Sequence, residues 1–145
     1  MNTFNTKIRL TWLFLLVSAG LLFSGYLSAI KLFTGSCALG ETCPYFLGYP
    51  ACWYGFAMYL GMFVTTILGI RKKIKHAGAF VADMIISGLG VAFSGNFVMQ
   101  ELWRSRITGV LGLSTCVYGL IFYLAIFAVS LYSLKCISES FHDHE

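Results

Sequence analysis

The chain has 145 residues, 58% of them hydrophobic and only 11% charged, against roughly 25% charged residues in a soluble domain, and its mean hydropathy is +0.78. That composition excludes a soluble domain and removes the usual meaning of the net charge of +4, because in a membrane chain Lys and Arg report topology, not affinity for nucleic acid. Four apolar runs, near 10–33, 47–70, 77–99 and 107–134, are each long enough, at about 20 residues, to cross a hydrocarbon core of about 30 Å; the expected fold is all-α, one polytopic membrane four-helix bundle filling 1–145.

The first run follows Lys7 and Arg9. Its apolar core exceeds the roughly 7–15 residues of a cleaved signal segment, so it is expected to stay as a span. Gly20, Ser24 and Ser28 recur every four residues, a small-residue seam of the kind that lets helix backbones approach in lipid. Between the first two runs lie Cys37 and Cys43, separated by Ala38-Leu39-Gly40-Glu41-Thr42. On the oxidising face of a membrane such a spacing can close a small disulfide ring, and no second Cys or His pair accompanies it to suggest zinc. Pro50 then leads to Cys52 at the head of the second run.

After the cationic segment 71–76, the third run carries Asp83, Ser87, Gly90 and Ser94 on one helical face; this polar stripe should point inward. An acid inside a span is a functional candidate by default. Asp83 lies about two turns from the cations of 71–75, however, so a snorkelling or salt-bridged structural acid is the expectation, with a transporter role in a hydrated cavity as the alternative. Lys31 and Glu101 occupy matching outer positions and are candidates to pair. Most Trp and Tyr residues fall toward span ends, as an interfacial belt does. Cys136 is left over beyond the fourth run, a reduced thiol or a lipidation site, and the tail with His142 and His144 is expected to be solvated.

The chain also repeats itself. Leu22-Phe23-Ser24-Gly25-Tyr26 returns 70 residues later as Ala92-Phe93-Ser94-Gly95-Asn96, and the stretch around Cys52 and Gly55 returns 64 residues later around Cys116 and Gly119. Each half holds two spans, so the bundle is expected to be two parallel two-helix repeats related by an axis along the membrane normal.

Cys52 and Cys116 each fall near the N-terminal, dipole-positive end of a span, a setting that favours a reactive cysteine. With the loop pair above them they form the parts of a thiol–disulfide relay. Ser18-Ala19-Gly20-Leu21-Leu22-Phe23-Ser24-Gly25-Tyr26-Leu27, then Cys37 and Cys43, then Gly48-Tyr49-Pro50 leading to Gly55 and Tyr59, resembles the first half of the vitamin K epoxide reductase-like membrane proteins. The resemblance implies a four-helix bundle that passes electrons from an extracytoplasmic thioredoxin-like partner, through a loop cysteine pair, to a Cys-x-x-Cys pair at the start of the last helix and on to a quinone. The segment after Cys43 is shorter than the family's. Where the family has its final pair this chain has Leu113-Ser114-Thr115-Cys116, so only the second cysteine matches, and Cys52 is the one other cysteine expected at the outer end of a span that can stand in for the first. The expected catalytic set is Cys37, Cys43, Cys52 and Cys116, with Asp83, Gly55 and Gly119 structural and a quinone as acceptor. The opposing reading is a non-catalytic membrane subunit or scaffold stapled by Cys37–Cys43.

Lys7, Arg9, Arg71, Lys72, Lys73, Lys75 and Lys135 fall on one side of the four-span arrangement and Lys31, Arg104 and Arg106 on the other, seven against three. Both termini should therefore be cytoplasmic, in what is expected to be a bacterial inner (plasma) membrane, with the paired cysteines on the oxidising side. Reporter fusions within 71–76 are expected to read cytoplasmic; an exported reading there would remove the oxidising context of Cys37 and Cys43.

Overall fold

The computed structural model describes residues 3–35, 45–103 and 115–142. Four helices, α1 (Thr3–Thr34), α2 (Ala51–Ile70), α3 (His76–Trp103) and α4 (Thr115–His142), carry a two-stranded hairpin of β1 (Tyr45–Phe46) and β2 (Tyr49–Pro50) between α1 and α2. Each helix packs on its neighbour in sequence and α4 closes back on α1, so the four form a ring in which α2 and α4 face each other diagonally. All four are long and apolar enough to span a membrane. The protein is an integral membrane four-helix bundle.

Two boundaries differ from the hydropathy reading. The apolar run from 47 suggested that the second span starts there, but Leu47 and Gly48 both take positive φ, 51° and 85°, the condition for a tight primed hairpin turn. The turn pairs Phe46 with Tyr49 and Tyr45 with Pro50. Pro50, extended at φ −65° and ψ 137°, is then the N-cap of α2. Hydropathy misses this because the hairpin is itself apolar: the Phe46 ring meets Tyr54, Phe93 and Phe97 edge-on, folding the hairpin onto the end of the bundle. The fourth helix, described from Thr115, runs on to His142, past the end of the apolar run at 134; residues 107–114 lie outside the described segments.

Burial shows the repeat more fully than the sequence matches did. In α1 the buried positions include Leu10, Leu13, Val17, Gly20 and Ser24, and 70 residues on in α3 they include Phe80, Asp83, Ser87, Gly90 and Ser94. In α2 they include Tyr59, Met62, Thr66 and Gly69, and 64 residues on in α4 they are Tyr123, Ile126, Ser130 and Ser133. Alternating steps of three and four keep these residues on one narrow stripe, the pattern that packs helices at shallow angles. The polar stripe of α3 points inward, as expected, while large apolar side chains such as Leu22, Ile85, Leu89 and Ile121 face outward, toward lipid.

At the centre of the bundle the rings of Tyr59 and Tyr123 stack with centroids 4.5 Å apart and planes 11° from parallel. They fit because glycine lies behind each. A Cβ on Gly90 would stand 2.5 Å from the Tyr123 ring, and one on Gly20 would overlap the Tyr59 ring. The small-residue seam of α1 is thus a seat for an aromatic ring, continued by Ser28, whose hydroxyl donates to the Cys52 carbonyl at 3.3 Å. Gly90→Ala should lower the melting temperature in detergent, with a cost of about 1–3 kcal/mol from overpacking. Gly95→Ala, where the added methyl meets open space, should be neutral or slightly stabilising.

Candidate functional site

The end of the bundle away from the described chain ends holds a cavity of about 60 Å³ between the four helices. Its walls come in pairs related by the repeat: Phe23 with Phe93 and Ser24 with Ser94 from α1 and α3, and Cys52 with Cys116, Gly55 with Gly119 and Tyr59 with Tyr123 from α2 and α4. Cys52 and Cys116 are both half-buried, in the first turns of their helices. The structure therefore brings the two cysteines to one cavity from opposite corners of the ring. Cys37 and Cys43 lie outside the described residues, and Cys136 is a free thiol near the other end of α4.

A Cβ on Gly55 would come no closer than 3.8 Å to Tyr123, and one on Gly119 no closer than 4.0 Å to Ser94, so neither glycine marks a tight helix crossing. What they present is carbonyl oxygen. The Tyr59 hydroxyl donates to Gly119 O at 3.1 Å and the Tyr123 hydroxyl donates to Gly55 O at 3.3 Å. These tyrosines are functional candidates that motif reading passed over. The signal was present, because Tyr59 and Tyr123 stand 64 residues apart, as Cys52 and Cys116 do.

Asp83 corrects an expectation. It neither snorkels nor pairs with the cations of 71–75: it is fully buried, and among the described residues its partners are the hydroxyls of Thr65, in a very short hydrogen bond, and Thr66, at 2.9 Å. The reason is its register. Asp83 occupies an inward step of the α3 stripe, so its carboxylate meets α2 and cannot follow the helix surface toward water. Of the interfacial aromatics, Trp12, Tyr26, Tyr49 and Trp103 are exposed, whereas Tyr54 is half-buried, donating to Phe46 O at 3.2 Å. Lys31 donates to the Gly35 carbonyl at 2.7 Å at the end of α1; the Glu101 side chain lies outside the described residues. No group of three or more His, Cys, Asp or Glu converges as a metal site among the described residues.

No family model, curated protein or solved structure matches the chain.

Because hydroxyls hold Asp83, removing them should cost more than removing the nearby charge. The double replacement Thr65→Val/Thr66→Val should destabilise the protein by about 1–3 kcal/mol for each bond lost, read as a lower melting temperature in detergent. Arg71→Gln should leave the melting temperature unchanged.

Proposed function

We propose that the protein is a membrane thiol–disulfide oxidoreductase whose inner sulfur pair is Cys52 and Cys116. The observation that carries this reading is that both cysteines line a single cavity, at equivalent positions of the two repeats and in the first turn of their helices. In the relay, Cys37 and Cys43 form the outer pair and exchange with an extracytoplasmic thioredoxin-like partner. A thiolate attacks the receiving disulfide, a mixed disulfide forms, and the second thiol of the donor resolves it. Each complete exchange oxidises one dithiol to a disulfide and reduces one disulfide to a dithiol, moving two electrons and two protons. The charge distribution supports cytoplasmic termini and an inner-membrane location, which leaves the cysteine end on the oxidising side.

The acceptor that the family resemblance implies is a quinone. A cavity of about 60 Å³ is less than half of the roughly 150 Å³ that admits a benzene ring, so its walls as they stand do not fit a quinone head, and no step is derived through one. Asp83, sealed between two hydroxyls, gives no support to a transporter.

Mass-spectrometric mapping of cysteine connectivity in native membranes under non-reducing conditions tests the reading. A reducible bond is expected between Cys52 and Cys116, or between either of them and the loop pair. Full alkylation of both inner thiols, persisting after mild oxidation, would leave a non-catalytic membrane subunit instead.

A further inference from the structure

The tyrosine pair has no part in the sulfur chemistry itself, yet it is tied to both cysteine-bearing turns. Gly55 follows Cys52 by three residues and Gly119 follows Cys116 by three, so each glycine lies about one turn along its helix from a cysteine, on the same face. The Tyr59 hydroxyl on α2 reaches the Gly119 turn of α4, and the Tyr123 hydroxyl on α4 reaches the Gly55 turn of α2. We propose that Tyr59 and Tyr123 are positioning residues for Cys52 and Cys116, a crossed strap that fixes the separation of the two sulfur-bearing helix ends. This rests on the oxidoreductase reading and goes beyond it.

Three features make the strap stiff. α2 and α4 are diagonal in the ring, without the side-by-side packing that joins sequence neighbours, so bonds that cross the diagonal bear directly on their spacing. In α-helical geometry Gly119 O also accepts the N–H of Tyr123, and Gly55 O that of Tyr59. Each hydroxyl therefore bonds to the carbonyl that anchors the other tyrosine, and the four bonds close a circuit that a sliding motion of either helix would break. The rings cannot follow such a motion, because they are stacked at 4.5 Å and seated against Gly20 and Gly90.

Separation matters because a disulfide needs its Cα atoms within about 4.4–6.8 Å, and two helix ends that drift apart present their thiols to each other less often. Loosening the strap should lower the effective concentration of one sulfur for the other and move the equilibrium toward the dithiol. The reaction to follow is Cys52–SH plus Cys116–SH plus oxidised glutathione giving the Cys52–Cys116 disulfide and two reduced glutathiones, which balances in atoms and electrons.

The full-length protein in detergent is brought to equilibrium with fixed glutathione mixtures, quenched in acid, alkylated and mapped by mass spectrometry. Tyr59→Phe and Tyr123→Phe keep the rings and their seats and remove one hydroxyl each. Each should shift the disulfide-to-dithiol ratio toward the dithiol by roughly fivefold, the size of one ordinary hydrogen bond, and by symmetry to a similar extent. Gly90→Ala, which unseats Tyr123 while sparing its hydroxyl, should shift the ratio in the same direction. A merely structural role would lower the melting temperature and leave the ratio where it was. An unchanged ratio in both Phe variants, or a shift in only one, overturns the crossed strap while leaving the oxidoreductase reading intact. A wild-type protein that forms no bond involving Cys52 or Cys116 in any glutathione mixture overturns both.

Discussion

Two tyrosine rings stacked across the diagonal of the bundle are the contact on which the arrangement of the four helices turns. Tyr59 and Tyr123 are among the largest fully buried side chains. A phenolic ring in hydrocarbon is easy to place, but its hydroxyl must find an acceptor, since no water is there to serve. Each finds one in the opposite helix. The glycines of α1 and α3 are small because the rings need that space. All four helices thus meet at one point, each repeat contributing one ring and one seat.

The halves part company on only one side of that point. Toward the cysteine end the repeat is kept: serine answers serine, phenylalanine answers phenylalanine and cysteine answers cysteine around the cavity. Toward the other end Asp83 stands where the first half has Leu13, and Thr66 stands where the second has Ser130. One interface, α2 with α3, is fastened by a buried carboxylate and two hydroxyls. Its counterpart, α4 with α1, has no such carboxylate: Arg9 lies over the Tyr132 ring at 5.1 Å, the buried Ser133 hydroxyl donates within α4 to Val129 O, and the Ser130 hydroxyl has no partner among the described residues. Two-fold likeness at the site and asymmetry beneath it suit a protein whose two halves offer equivalent sulfurs but are held by different fastenings.

The hairpin at 45–50 links the site to the connection before it. Phe46 packs edge-on into Tyr54, Phe93 and Phe97, and Phe93 and Phe97 also line the cavity. The hairpin is therefore fixed to the cavity wall by the aromatic contacts of Phe46.

Much of this was legible in the chain alone. Four apolar runs of spanning length, the inward stripe of α3 and the repeat offsets of 70 and 64 follow from composition and periodicity, because lipid demands helices and helices impose a period of 3.6. Cys52 and Cys116 at matching helix starts were legible for the same reason. Tertiary structure decided the rest. Leu47 and Gly48 turn a hairpin that hydropathy merges with the span, since hydropathy does not register backbone sign. Asp83 looks toward two threonines and not toward the cations two or more turns away, since which face of α3 meets α2 depends on how the helices pack. The pairing of each tyrosine hydroxyl with the carbonyl of the other helix is a relation across the diagonal of the bundle, between residues 60 and 68 positions apart, and no local pattern encodes it; it exists only once four helices have closed into a ring.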